Sequence, residues 1–107
     1  MGTEATPDTF AELVADGNVL VDFWGPRCQP CLAMMPAVEA LEERYSGKFR
    51  LVKVNAPDNR QVCRDLRVIG LPTYLLYRNG AELERLTGDP SKADLEAAVV
   101  RLVEGGK

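Results

Sequence analysis

Residues 18–31 carry the strongest pattern in the chain and read NVLVDFWGPRCQPC. The first half, Asn18 to Trp24, is an apolar run rich in β-branched and aromatic residues, which predicts a β-strand covered on both faces. Gly25 and Pro26 then interrupt the run, and a helical pattern begins near Cys31. A pair of cysteines three residues apart therefore stands between a buried strand and the start of a helix.

Cysteines in this position are suited to disulfide exchange. Backbone N–H groups and the helix dipole at a helix N-terminus stabilise a thiolate, which predicts that Cys28 is the nucleophile. Cys31, one turn into the helix, is then the resolving thiol. The alternative interpretation is half of a zinc site. Such sites need a second pair of ligands, and the chain offers only Cys63 and no histidine, so we expect no metal.

The composition limits the functions open to this chain. Its 107 residues are 46% hydrophobic and 27% charged, which is typical of one globular domain over residues 1–107. The net charge of −3 comes without a basic stripe and argues against nucleic-acid or anionic-membrane binding. The absence of histidine excludes His-based acid–base catalysis and Cys–His nucleophile pairs.

The distribution of apolar residues and cysteines predicts a compartment. No apolar run approaches the roughly 20 residues of a membrane helix, and the N-terminus lacks the apolar segment of a secretion signal. Three cysteines, an odd number, favour a reducing environment over a disulfide-stabilised exterior protein. We therefore expect a cytoplasmic monomer with no membrane association.

Helix and strand signals alternate along the rest of the chain. The predicted elements are a helix from a Thr6-Pro7 cap to Gly17, the strand Asn18 to Trp24, a helix from Cys31 to Tyr45, a strand from Phe49 to Val54, a short helix from Asp58 to Leu66, a hairpin of Thr73 to Arg78 and Glu82 to Thr87 around a type I′ Asn79-Gly80 turn, and a last helix capped by Ser91 and Asp94. This order predicts an α/β fold with a mixed central sheet and helices on both faces.

Several motifs at compatible spacings resemble those of the thioredoxin family over nearly the whole chain. Residues 21–31 resemble its active-site segment, and Pro36 stands where its second helix kinks. Residues 70–73, Gly-Leu-Pro-Thr, resemble its cis-proline loop, while Asn79-Gly80 and Gly88 match its hairpin turn and a following glycine. The resemblance implies a thioredoxin fold and a thiol–disulfide oxidoreductase that uses Cys28 and Cys31 as a redox-active disulfide without any cofactor.

The same resemblance implies how a substrate binds. Trp24 would pack beside the cysteine pair, and Pro72 would lie against the disulfide as a cis proline. The backbone of Leu71 and Pro72 would pair with an extended strand of the client protein, a mode that tolerates many client sequences. Taken alone, Pro72 is better interpreted as a trans proline at the start of a strand, because only about one X-Pro bond in twenty is cis in folded proteins.

Two charged residues interrupt predicted apolar strands. Asp22 is either an exposed edge residue or a buried acid, its pKa raised by desolvation, that moves the proton on or off Cys31. Without histidine, it is the best proton acceptor available. Lys53 corresponds to the family's lysine near that acid. The other interpretation of Lys53 is that it extends its ammonium group to solvent.

The chain departs from the family's pattern beside the nucleophile. Arg27 and Gln29 replace the usual Trp and Gly, and Asp89 follows Gly88 where a small residue is more familiar. We expect these residues to alter the choice of partner and the redox potential. Pro30 stands at the position the family uses in its reducing members, which favours a reductant over an oxidant.

Two positions outside these motifs also carry expectations. The N-terminal residues MGTEAT have little β propensity, so the first strand should be short or absent and the sheet should have four or five strands. Cys63 is either a small, partly buried apolar residue or a regulatory thiol.

The expected partners are a thioredoxin reductase and disulfide-containing client proteins. Two alternative functions stay open at this point: a redox-inactive binding module that only presents the groove, and a more oxidising glutaredoxin-like or disulfide-forming protein. Both cysteines and Asp22 are present, which speaks against the binding module.

Overall fold

The computed structural model describes residues 2–105 as a five-stranded mixed sheet with helices on both faces. Its elements are β1 (Thr3–Glu4), α1 (Phe10–Leu13), β2 (Asn18–Trp24), α2 (Gln29–Arg44), β3 (Arg50–Asn55), a 3-10 turn (Ala56–Asp58), α3 (Arg60–Leu66), β4 (Thr73–Arg78), β5 (Ala81–Leu86) and α4 (Lys92–Gly105). The strand order is β1-β3-β2-β4-β5, with β1 and β2 parallel to β3, and β4 antiparallel to both β2 and β5. The predicted fold class is confirmed.

Strand β2 lies at the centre of the sheet, as its apolar composition predicts. Its alternating side chains enter two separate cores. Leu20 packs with α2 and α4 on one face, whereas Val21 and Phe23 pack with α1 and α3 on the other. All three are fully buried. Because both faces of this strand are covered, its side chains do not alternate between polar and apolar.

The first strand is present and consists of two residues. Thr3 pairs with Val52 and Glu4 with Lys53, and the Ala5 N–H donates to the Lys53 carbonyl at 2.8 Å. The sheet therefore has five strands, the larger of the two expected numbers.

The predicted start of the first helix at Thr6-Pro7 is wrong. Helix α1 begins at Phe10, after a turn over residues 7–9. The Thr6 N–H donates to Thr9 Oγ1 at 2.8 Å, and the Thr9 N–H donates to Thr6 Oγ1 at 3.2 Å. These reciprocal bonds are those of a capping box, so Thr6 caps this segment as predicted, although residues 7–9 form a turn and the regular helix follows it.

The predicted hairpin turn and the cap of the last helix are confirmed. Asn79 and Gly80 both have positive φ, +50° and +85°, as a type I′ turn requires. At the start of α4, the Asp94 N–H donates to Ser91 Oγ at 3.0 Å and the Ser91 N–H donates to Asp94 Oδ2 at 3.1 Å. This reciprocal pair is a capping box.

Strand β5 forms one edge of the sheet and carries a band of charge. Arg85 pairs with Glu82 of the same strand at 2.8 Å, and Arg101 of α4 pairs with Glu84 at 2.5 Å. Arg85 also donates to the Leu66 carbonyl at the end of α3. Within residues 2–105, no helix is long and apolar enough to cross a membrane.

Candidate active site

The cysteine pair lies where β2 passes into α2. Cys28 is the N-cap of α2, and its Sγ accepts a hydrogen bond from the Cys31 N–H at 3.2 Å. The two sulfurs are joined in a disulfide, with 2.05 Å between them. Cys28 is partly exposed, whereas Cys31 is 1% exposed. One sulfur is thus reachable from outside at a helix N-terminus, and the other lies beneath it.

The residues between the strand and the helix explain this placement. The Cys28 N–H donates to the Gly25 carbonyl at 3.1 Å, which closes a turn. Pro30 follows in the first turn of α2. Backbone N–H groups in this turn have no intrahelical acceptor, so the N–H that proline lacks costs the helix no hydrogen bond. Arg27, Gln29 and Pro30 are exposed around the pair, and Arg27 forms no ion pair with any residue in the described range.

The loop before β4 packs against the same turn. The Leu71-Pro72 peptide bond is cis, and Pro72 is buried. A Cβ atom built on Gly25 would lie 3.3 Å from Leu71 Cδ1, so the two segments approach too closely for an added side chain to fit without displacement. Thr73 holds the loop by donating its hydroxyl to the Gly70 carbonyl at 2.6 Å.

Asp22 is a buried acid in the central strand, and the exposed-edge interpretation is wrong. It is 1% exposed, and neither of its carboxylate oxygens has a hydrogen-bond partner among the described residues. Burial raises the pKa of Asp22 to about 7, with the Lys53 charge opposing the rise and the Glu4 charge adding to it. Such a group exchanges a proton near neutral pH.

Lys53 lies beside that acid in the sheet but forms its ion pair elsewhere. Asp22 and Lys53 are paired residues of β2 and β3. The Lys53 Nζ is 3.4 Å from Glu39 Oε2 of α2, and its side chain is only 14% exposed. Lys53 therefore does not extend freely to solvent, and its contact with Glu39 was not predicted from the sequence.

Three further polar groups around Asp22 and Lys53 were not predicted from the sequence. They are Glu4, Glu39 and Tyr74, which approach through strand register or helix packing and carry no local motif. Burial raises the pKa of the Tyr74 hydroxyl, with smaller contributions from Asp22 and Asp89. The Tyr74 hydroxyl is buried without a hydrogen-bond partner in the part of the chain described.

Two predicted residues border the site more distantly. Trp24 ends β2 half-buried and lines a groove with Asn55 and Asn59, and its indole Nε1 has no partner among the described residues. Asp89 is exposed at φ +61° directly after Gly88 at φ +73°.

Cys63 is a half-buried free thiol on α3. Burial raises its pKa, which lowers the fraction of reactive thiolate and favours the packing interpretation over a regulatory one. Across residues 2–105, no group of three or more Cys, Asp or Glu side chains is placed to hold a metal ion.

Comparison with known proteins identifies the family. The thioredoxin family model matches residues 2–101 of this chain. The chain belongs to the thioredoxin family. Thioredoxin of Acetoanaerobium sticklandii is 36% identical to it over 103 residues, covering 94% of this chain and 98% of the relative. Thioredoxin 1 of Nostoc sp. is 35% identical over 94 residues, covering 86% of this chain and 88% of the relative.

The fold agrees with this assignment. Oxidised mitochondrial thioredoxin 3 from Saccharomyces cerevisiae superposes with a TM-score of 0.87 at 24% identity, covering 94% of this chain and 95% of the yeast chain. This thioredoxin-family protein is a thiol–disulfide oxidoreductase with Cys28–Cys31 as its redox-active disulfide. Membership of the family implies, in general terms, a reductase and disulfide-containing clients as partners.

After reduction of the disulfide, Cys28 is expected to react with iodoacetamide before Cys31. Its Sγ accepts the Cys31 N–H at the start of α2, and it is the more exposed of the two sulfurs. Peptide mapping of singly alkylated protein at neutral pH shows which cysteine is alkylated first, and half-buried Cys63 serves as an internal reference. Label found mainly on Cys31 would reverse the two roles.

Proposed function

We propose that this oxidoreductase reduces disulfide bonds in proteins, with Cys28 as the nucleophile and Cys31 as the resolving thiol. The observation that carries the proposal is the placement of Cys28, partly exposed at the N-cap of α2, above the buried Cys31. Pro30 between them supports the reducing direction, because it matches the reducing members of the family.

The exchange proceeds in two balanced steps. The Cys28 thiolate attacks one client sulfur, forms a mixed disulfide and releases the other client sulfur as a thiolate. Cys31 then gives up its proton and attacks Cys28 Sγ, which releases the second client thiolate and forms the Cys28–Cys31 disulfide. Two electrons pass to the client, and a reductase must return two electrons to the protein.

Asp22 is the proposed acceptor of the Cys31 proton. Its burial without a partner and its pKa of about 7 allow it to bind and release a proton at neutral pH. Lys53, its neighbour across the strands, supports this role by moderating that pKa.

The client strand is proposed to lie along the Leu71-Pro72 backbone. The packing of Leu71 against the turn at Gly25 supports this placement, because it brings the loop next to the cysteine pair. Further contacts are assigned to residues around the pair and to the loop before α4; these residues are Trp24, Arg27, Gln29, Pro30, Gly88 and Asp89.

We also propose that residues 1–107 act as one thioredoxin domain, as a monomer in the cytoplasm, re-reduced by a thioredoxin reductase. The two cores on either face of a single sheet support one domain. The odd number of cysteines supports a reducing compartment.

Reduction of insulin by dithiothreitol tests the proposal. The wild type should accelerate the appearance of turbidity, and a Cys28→Ser variant should lose all acceleration. Cys63→Ser is the matched control, because it removes a half-buried thiol outside the pair, and it should retain the wild-type rate. A wild type that gives no acceleration would identify a redox-inactive binding module instead.

A further inference from the structure

Four ionisable side chains form one row across the sheet. Glu4 of β1 pairs with Lys53 of β3, Lys53 pairs with Asp22 of β2, and Asp22 pairs with Tyr74 of β4. Paired residues of neighbouring strands point to the same face, with the strands about 4.8 Å apart. This face is the one that α2 and α4 cover.

Lys53 supplies the one positive charge of that row and has carboxylates on three sides. Glu4 and Asp22 flank it within the sheet. From α2 above, Glu39 Oε2 approaches its Nζ to 3.4 Å. Neither oxygen of Asp22 has a hydrogen-bond partner in the described chain, so the ammonium group is bound to Glu39 and not to the buried acid.

We propose that Glu4 and Glu39 are positioning residues for the proton transfer: Glu39 holds the Lys53 ammonium away from Asp22, and Glu4 adds a second negative charge, so that together they set the pH at which Asp22 ionises. The inference deepens the proposed function, because it rests on Asp22 as the proton acceptor for Cys31.

The physical argument concerns which charges favour the ionised carboxylate. An ammonium in contact with Asp22 would stabilise its charged form and lower its pKa by about one to three units. Attraction to Glu39 competes with that contact, and a second carboxylate in the same row disfavours ionisation. Burial is the main cause that raises the pKa of Asp22 to about 7, the Lys53 charge lowers it, and the Glu4 charge adds to the rise. The role of Glu39 rests on its contact with Lys53.

The groups that face Asp22 from each neighbouring element are few. They are Glu4 from β1, Lys53 from β3 and Tyr74 from β4, and Glu39 of α2 reaches this set through its contact with Lys53. Helix α4 contributes apolar side chains to this face, including Leu95 and Val99. Glu4 and Glu39 are the carboxylates in this set besides Asp22 itself.

The test is a pH titration of the Asp22 carboxyl carbon by NMR on the oxidised protein. Glu4→Gln and Glu39→Gln should each lower the Asp22 pKa by about half a unit or more, and the double variant by more than about one unit. The control is Glu43→Gln, which removes an exposed carboxylate from the same helix, and it should leave the Asp22 pKa unchanged.

Variants made in a Lys53→Met protein distinguish the effect of Glu39, which acts through Lys53, from the direct effect of Glu4. Glu39 acts through Lys53, so Glu39→Gln should have no effect on the Asp22 pKa when Lys53 is replaced by Met. Glu4 also acts directly, so Glu4→Gln should still lower the pKa in that background. An unchanged Asp22 pKa in the Glu4→Gln and Glu39→Gln variants would overturn the proposal, as would an effect of Glu39→Gln that persists without Lys53.

A rate measurement distinguishes this proposal from the function on which it rests. If Asp22 accepts the Cys31 proton, the pH profile of insulin reduction should move to lower pH together with the Asp22 pKa. A lowered pKa with an unmoved profile would leave the positioning roles standing and remove Asp22 from proton transfer. Insulin reduction itself, by the wild type, remains the separate test of the oxidoreductase.

Discussion

Asp22→Asn is expected to raise the stability of the protein at pH 8 and to slow disulfide reduction. The carboxylate is buried in the central strand with neither oxygen hydrogen-bonded in the described chain, so its charged form is strongly disfavoured in the folded state. A pKa moved from 3.8 to about 7 corresponds to at most about 4 kcal/mol of unfolding free energy at high pH. The neutral amide avoids this cost but cannot accept a proton from Cys31.

The direction of this pH dependence follows from the difference in proton binding between the folded and unfolded states. Between pH 4 and 7 the folded protein keeps the Asp22 proton that the unfolded chain has lost, so wild-type stability falls as pH rises through this range. The gain from Asp22→Asn should therefore be small below pH 4 and reach its maximum above pH 7. Urea denaturation should show part of the gain at pH 5 and the full gain at pH 8.

An exposed carboxylate provides the control for this experiment. Asp16→Asn makes the same chemical change at the surface and should alter the free energy of unfolding little at either pH. Lower stability of Asp22→Asn would mean that Asp22 is paired in solution, with Lys53 as the neighbouring cation. Higher stability with unchanged turnover would remove its role in proton transfer.

Cys31→Ser is expected to abolish turnover and to accumulate a covalent complex with client proteins. Cys28 would still attack a client disulfide, but no second sulfur would then release the mixed disulfide. Cys31 is buried beneath the Cys28 sulfur, so a client thiol cannot readily take its place. Non-reducing electrophoresis after incubation with insulin should show a band that disappears on addition of dithiothreitol.

Cys28→Ser is the matched control, since it removes the exposed sulfur and keeps the buried one. It should trap nothing. A trapped complex with Cys28→Ser and none with Cys31→Ser would exchange the roles of the two cysteines. Complexes formed by both variants would implicate Cys63, and the corresponding Cys63→Ser double variants would settle that assignment.

The elements defined by local chemistry were predictable from the sequence. The strand Asn18–Trp24 has the predicted bounds, because its apolar run ends at Gly25. Helix α2 begins at Gln29, two residues before the predicted start, since Cys28 itself is the cap. Thr6 forms the predicted capping bonds with Thr9, but residues 7–9 form a turn and the regular helix α1 begins only at Phe10.

The surroundings of Asp22 were not predictable in the same way. A strand covered on both faces has no polar face, so its sequence cannot say whether one acid within it is buried or exposed. The burial of Asp22 follows from its place in the middle of a five-stranded sheet. The approach of Glu4 and Glu39 to Lys53 depends on strand register and on how α2 packs, neither of which any local motif encodes.

The charged edge strand β5 bears on how this protein avoids aggregation. An open sheet edge is a template with which another extended chain can pair. Glu82, Glu84 and Arg85 place charges along β5, held there by ion pairs within the strand and with α4. Backbone pairing at this edge would require those charges to lose water and partners. Foreign strands are thereby discouraged from extending the sheet into a polymer at this edge.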